Sequence, residues 1–446
     1  MVSNHNEQMK VTRASAYNSF EYIDELEDGE TLYGVNTRTF YTKEESEFTD
    51  LSTGNSVSVN NYESKELSLV SPRSSIAQVG GNTYYFIDNY MKNDDKNLKI
   101  PKDISVSGTI SYDMSYLHNM TFDEMGDIVL NAFYKELCGN GTMPNTEFWD
   151  AAEILEVFID AYERTGKEEY FNYVERIANY KFSARNENVN WCQSNAYNDD
   201  IAWASIGFTR IYLLTNEERY LTIAKNNFDT MWRRAYSPDV LGGGLWWKDD
   251  QKDTKNSCIQ CPASIAACLL GKALNDDSYY EKAKELMEWE FANLFEEATG
   301  RVYDAYKTDG SKNNWASTYN QGTFVGACTL LHEKYGDEKY LDYAKAAVNF
   351  AVKELANSDG ILNGEDSGND LIGFKGILTR WFYRYALYTK DFEVVRWLQN
   401  NANTAFGNRN NLNLIWTTWA NKTLNGKKQN VFGYSTAVAL MFKRNS

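Results

Sequence analysis

Two adjacent carboxylates, Asp199 and Asp200, stand in the segment YNDDIAW at residues 197–203. Two acids side by side in a partly buried site do not both ionise easily, so their pKa values split. The split supplies one protonated and one ionised carboxyl group, the pair that glycosidic-bond cleavage requires. Neighbouring side chains on one helical turn bring carboxyls within about 5–6 Å, the spacing of a retaining double displacement. Asn198 is an expected N-cap, which puts both acids in the first turn of a helix. A plainer reading exists: a helix N-terminus favours carboxylates on its own account. What decides between the two is where the helix opens.

Other chemistries find less support. The six cysteines are Cys138, Cys192, Cys258, Cys261, Cys268 and Cys328, and only Cys258 and Cys261 form a CxxC. A zinc site needs a second ligand pair, so these are expected to be core thiols, with no metal and no cofactor. The three histidines, His5, His118 and His332, are scattered. That argues against a His-assisted Ser or Cys nucleophile.

The elements that position the acids are read from an internal repeat. Five short polar turns recur, TGKEEYFNYV, TNEERYLTIA, NDDSYYEKAK, GDEKYLDYAK and TKDFEVVRWL. The first four carry Tyr170, Tyr220, Tyr280 and Tyr340 at one point, as expected of packing anchors in stacked helical pairs. Twelve helices are predicted, near 121–138, 146–165, 168–182, 198–215, 217–235, 257–273, 278–297, 317–336, 338–356, 373–389, 391–405 and 432–444. Pairing the first with the last gives six hairpins in a double ring; an open solenoid is the alternative.

Connections within the hairpins are short. Those between hairpins are long, at 183–197, 236–256, 298–316, 357–372 and 406–431, and so gather at one end. Long loops on a rigid scaffold are where binding and chemistry are built. These loops hold Trp191, Gly242–Gly244, Trp246, Trp247, Trp315, Trp416 and Trp419. Tryptophan faces suit stacking on sugar rings, although some loop tryptophans are expected only to plug the ring end. Asp199 and Asp200 open an inner helix at this mouth.

The bulk numbers agree. The chain has 446 residues, 43% hydrophobic and 15% aromatic, with a net charge of −17. That charge repels nucleic-acid phosphates and anionic lipids. No run of about 18 apolar residues suggests a membrane span. The opening MVSNHNEQMKVTR lacks the apolar stretch of a signal peptide. Before residue 118 the chain is rich in Ser, Thr, Asn and Tyr, with strand-like segments at 31–41, 55–62, 84–88 and 104–112. We expect a flexible start at 1–13, a β-rich accessory domain at 14–117 and a helical catalytic domain at 118–446, in a monomer.

Several motifs in order resemble glycoside hydrolase family 76, the endo-α-1,6-mannanases. They are FWDAAEILEVFIDAY at 148–162, YNDDIAW at 197–203, GGGLWWK at 242–248, YNQGTFVGA at 319–327 and FKGILTRW at 374–381. The resemblance covers about 120–446. It implies an (α/α)6 barrel and cleavage of α-1,6-linked mannan with retention, with Asp199 as nucleophile and Asp200 as general acid/base. It also implies sugar contacts from Trp149, Trp191, Asn198, Trp246, Trp247, Asn320, Gln321 and Lys375, and work at the cell surface or outside the cell. A cytoplasmic role follows if the missing signal is taken at face value.

Two departures stand out. Phe148-Trp149 with Glu153 replaces a Trp-Trp with a later Asn, and CIQCPA at 258–263 replaces an Asn/Gly-containing stretch. The alternatives are a hydrolase of another α-linked glycan, a cell-wall transglycosylase, or a non-catalytic sugar-binding protein on the same scaffold. Lyases and epimerases lean on histidine, and uronidases on basic loop residues; this chain is poor in both.

Overall fold

The computed structural model describes residues 122–426 and 430–441, together with the backbone of ten short strands between Val2 and Asn93. The expected accessory domain at 14–117 falls mostly outside the described residues, as does its last predicted strand at 104–112. Strands at Thr31–Tyr33, Ser56–Val59 and Asn82–Tyr85 overlap the other three.

The described remainder is mostly helical, with twelve helices. They are α1 (Phe122–Leu137), α2 (Phe148–Thr165), α3 (Glu168–Lys181), α4 (Asn198–Thr215), α5 (Glu218–Ala235) and α6 (Ser257–Leu274). After these come α7 (Asp277–Asn293), α8 (Thr318–Tyr335), α9 (Glu338–Glu354), α10 (Phe374–Thr389), α11 (Phe392–Gly407) and α12 (Val431–Met441).

Helices α2, α4, α6, α8, α10 and α12 pack in sequence, and α12 returns to α2, so the circuit closes. Against its outer side, α3 packs on α2, α5 on α4, α7 on α6 and α9 on α8. Helix α11 meets α10 through Trp397 on Phe382. Helix α1 lays Phe133 and Tyr134 against Phe158 of α2 and stacks Tyr134 on Tyr173 of α3.

Five inner helices stop in the same way. Gly166, Asn216, Asn275, Gly336 and Lys390 all take left-handed backbone, with φ of 65°, 59°, 53°, 68° and 58°. A left-handed residue satisfies the last helical carbonyls and turns the chain back at once. That is the physical content of the sequence repeat. Tyr170, Tyr220 and Tyr340 are fully buried third residues of the outer helices that follow. In α7 the third residue is Tyr279, which is buried, while the expected anchor Tyr280 is only half-buried. Tyr279 is the fourth residue after left-handed Asn275, as Tyr170, Tyr220 and Tyr340 are after Gly166, Asn216 and Gly336, so the register of the repeat is kept and the expected anchor lies one residue off.

Other expectations need correction. The helix predicted to reach 297 ends at Asn293, where a two-residue strand, Phe295–Glu296, pairs with Arg301–Val302. Strand structure also returns in the loops, where Thr254–Asn256 pairs with Ala305–Lys307 and the latter with Lys312–Asn313. Helix α6 is long and apolar enough to cross a membrane, but 83% of it is buried inside the protein, where its neighbours take the place of lipid.

Beneath the ring floor, buried Arg380 of α10 reaches Glu153 at 2.8 Å, Glu156 at 2.9 Å and Asp160 at 2.9 Å, all on α2. Arg210 of α4 meets Glu156 and Asp160 from the other side, at 3.1 and 2.8 Å. Removing one partner from such a buried network costs about 3–5 kcal/mol, because the others are left uncompensated. Glu153 therefore braces α2 against α10, and the network as a whole joins three inner helices.

Candidate active site

Because each short turn reverses the chain, all six inner helices begin at the same end. Their first turns place Trp149 (α2), Asp199 and Asp200 (α4), Cys258 (α6), Tyr319 (α8) and Phe374 (α10) around one cleft of about 440 Å³. Trp203, Tyr197, Trp247 and Asn256 also line it, with Glu147, Asp304 and Asp370. Its five carboxylates face no lysine or arginine among the lining residues.

Asp199 is held on one oxygen. The Trp247 indole Nε1 donates to its Oδ2 at 3.1 Å, and the Cys258 thiol approaches the same oxygen at 3.5 Å. Oδ1 is buried and has no hydrogen-bond partner of its own. Burial pushes the Asp199 carboxyl up to about 7, against the pull of Trp247, Cys258 and the N–H groups at the start of α4. Asp200 accepts from the Asn195 amide at 2.7 Å. Its carboxyl is raised well above the usual range, first by burial and then by the charge of Asp199. The pair titrates as a unit, and its intermediate state carries one proton.

Trp247 reaches the site from a strained turn. Gly242, Gly243 and Gly244 have φ of 73°, 119° and 82°, and a Cβ on Gly244 would meet the Trp289 ring at 3.0 Å. Lys255 Nζ ties that turn down by donating to the carbonyls of Ser237, Val240 and Gly243. Gln260 clamps Leu245 through both backbone groups, at 2.9 and 2.7 Å.

Of the residues expected from sequence, Trp149, Asp199, Asp200 and Trp247 meet in the cleft. Trp149 lies half-buried and donates its Nε1 to Asp370 at 3.0 Å. The others sit behind the cleft wall. Asn198 is not the N-cap: Tyr197 is, and Asn198 is the first helical residue. Its buried amide is engaged instead by the Trp246 carbonyl at 2.8 Å and by Arg234 at 2.7 Å. Trp191 is 3% exposed, donates to the Phe182 carbonyl and packs edge-on to Phe148 and Phe208. Trp246 is buried under Lys255.

Asn320 points its amide to Asp304 at 3.5 Å. Gln321 braces Val302, Gly300 and Ala347 through their backbone. Lys375 donates to the carbonyls of Asn363 and Thr417 at 2.5 and 2.6 Å, and burial lowers it to about 8. Sequence reasoning missed Cys258, Asp304, Tyr319 and Asp370 as lining residues. The signal for Cys258 and Tyr319 was present: each opens an inner helix, as Asp199 does.

An aromatic line runs from the cleft to its rim. Trp203 faces Tyr319, Tyr319 stacks on Phe374 with centroids 3.8 Å apart, and Trp315 lies 6.3 Å beyond Phe374, 45% exposed. Pockets walled by aromatic faces with a few convergent polar groups are the usual form of a small-ligand site.

Residues 114–445 match glycosyl hydrolase family 76. The chain belongs to that family. It is similar to the GH76A α-1,6-mannanase from Salegentibacter sp. HEL1_6, at 30% identity and a TM-score of 0.66, over 72% of this chain and 98% of that one. An inactive variant of that mannanase, with two consecutive aspartates replaced by asparagine, is known in complex with α-1,6-mannotriose. It matches at 29% identity, TM-score 0.65, over 72% and 98% of the two chains. Among curated proteins, the chain is 26% identical over 226 residues to mannan endo-1,6-alpha-mannosidase DCW1 of Candida albicans. That match takes in 45% of this chain and spans about half the length of the relative, 50%.

Proposed function

We propose that this family member is a retaining glycosidase acting on α-1,6-linked mannan, built on an (α/α)6 barrel, with Asp199 and Asp200 as its catalytic carboxylates. The observation that carries the reading is the asymmetry of the pair. Asp199 is held by two donors on Oδ2 that favour its ionised form, as a nucleophile needs. Asp200 is held protonated by burial and by its neighbour's charge, as an acid needs.

In the first step, the Asp199 carboxylate attacks the anomeric carbon while Asp200 gives its proton to the departing glycosidic oxygen. The carbon–oxygen bond breaks and a mannosyl ester forms on Asp199. In the second step, Asp200 takes a proton from water, whose oxygen displaces Asp199 and restores the pair. Trp149, Trp247 and the Tyr319–Phe374 stack are the sugar-facing surfaces. Trp191, Asn198, Trp246, Asn320, Gln321 and Lys375 act from behind the wall, by fixing what touches the sugar.

The five carboxylates and the lack of a lining cation favour a neutral glycan over an anionic one. Residues 14–117 form an accessory unit ahead of the catalytic domain, and a polymeric substrate places the work outside the cell. The test is digestion of unbranched α-1,6-mannan, with the first-formed anomer read by NMR. A retaining enzyme releases the α-anomer first, and initial release of the β-anomer contradicts the assignment of Asp199.

A further inference from the structure

We propose that Cys258 is a positioning residue for Asp199, whose thiol pins carboxylate Oδ2 and so fixes the plane of the carboxylate. The inference rests on the reading in which Asp199 is the nucleophile. Cys258 is the second residue of α6, set in place by the strand Thr254–Asn256 immediately before it. It forms no disulfide and is 4% exposed. Its sulfur lies 3.5 Å from Asp199 Oδ2, within the range of a thiol hydrogen bond. Behind it, Tyr319 acts electrostatically on the same thiol.

Direction follows from protonation. Burial and the Asp199 charge keep the thiol neutral, so it is the donor and the carboxylate the acceptor. Trp247 donates to the same Oδ2 from the opposite loop. Two donors on one oxygen fix the carboxylate plane. A thiol is a weak donor, so it orients the group while withdrawing little of the basicity that the carboxylate needs. The CxxC spacing that suggests a metal has another meaning here. Cys258 turns to Asp199, while Cys261 is fully buried one turn further along α6.

Removing the donor disfavours the ionised form of Asp199. Other groups also act on the dyad: Asp150 and Asp370 raise Asp200, and Asp304 acts on Cys258 and Tyr319. None of these is changed by substituting Cys258.

The experiment compares Cys258→Val, which fills the volume without a donor, with Cys258→Ser, which keeps one. The Asp199 carboxyl is titrated by carbon-13 NMR in the resting protein, and kcat and KM are followed against pH. Cys258→Val is expected to move the Asp199 titration and the acid limb of kcat to higher pH. It is also expected to lower kcat about tenfold with KM nearly unchanged, a loss of transition-state stabilisation. Cys258→Ser is expected to restore the limb to its original position or below it.

Superposable titrations in the parent protein and both variants would overturn the inference, as would identical behaviour of Val and Ser. The titration needs no turnover, so it stands apart from the reading of Asp199 as nucleophile. That reading fails separately, if Asp199→Asn keeps its activity.

Discussion

Trp247 donates its indole N–H to Asp199 Oδ2 at 3.1 Å across 48 residues of sequence. The contact joins the Gly242–Gly244 turn to the first turn of α4. It makes the loop as much a part of the acid pair as the helix that carries it.

Trp247→Phe keeps the ring and removes the donor. We expect kcat to fall about 10- to 100-fold, the usual cost of one charge-assisted hydrogen bond of about 1.5–3 kcal/mol. The acid limb should move to higher pH, because the donor favours ionised Asp199. Steady-state kinetics across pH check both. An unchanged limb would mean that the indole serves only as a stacking surface.

The dyad predicts a bell-shaped pH profile. Activity falls at low pH as Asp199 takes up a proton, and at high pH as Asp200 gives its own away. Burial raises both groups, Asp199 to about 7 and Asp200 well above the usual carboxylate range. The optimum therefore lies above that of an enzyme with ordinary carboxylates. Asp200→Asn should abolish the alkaline limb in any residual activity on a substrate with an activated leaving group.

Buried Glu290, bonded to Ser257, is pushed up to about 8 by burial. The folded protein then holds a proton that the unfolded chain releases near its ordinary value of about 4.3. Stability is complete below that value and declines as pH rises towards 8. Glu290→Gln should flatten the decline, raising Tm at pH 8 relative to pH 5 against the parent. Scanning calorimetry at the two pH values checks it, and parallel slopes would contradict it.

Lys375 is fully buried among carbonyls, with its backbone N–H donating to Glu365 at 3.1 Å. Lys375→Met leaves the carbonyls of Leu362, Asn363 and Thr417 without their donor and Glu365 without its charge partner. We expect a loss of about 3–5 kcal/mol of stability. Denaturant unfolding measures that loss. A large rise in KM with full stability would instead place Lys375 on the sugar.

Trp315 ends the aromatic line at the cleft rim. Trp315→Ala should weaken binding of long mannooligosaccharides by about 1–2 kcal/mol, from lost area, and leave the shortest substrates unaffected. Equal effects on all chain lengths would remove it from the sugar path.

Much of the helical architecture is legible in sequence because it repeats. The left-handed stops at Gly166, Asn216, Asn275, Gly336 and Lys390 recur with polar turns, and periodicity carries the rest. Helix α4 runs over the predicted 198–215. The anchor Tyr279 was missed because two tyrosines stand side by side and spacing from the other anchors favours Tyr280, whereas counting from the left-handed Asn275 gives Tyr279.

The acid pair was legible from its position at a long-loop mouth. The wall of the site was not. Asn198, Gln321 and Lys375 carry polar side chains on family-like motifs, yet their partners are mostly backbone groups distant in sequence, a relation that no local pattern encodes. Trp191 and Trp247 look equivalent as loop tryptophans. Only folding buries one against Phe182 and turns the other to Asp199.

The most direct test of the account is incubation of the protein and its Asp199→Asn and Asp200→Asn variants with unbranched α-1,6-mannan, with the products sized over time. The account predicts short mannooligosaccharides from the parent protein, and a loss of at least about a thousandfold in either variant while circular dichroism stays unchanged. Failure of the folded parent protein to cleave, or near-normal turnover in either variant, would contradict it.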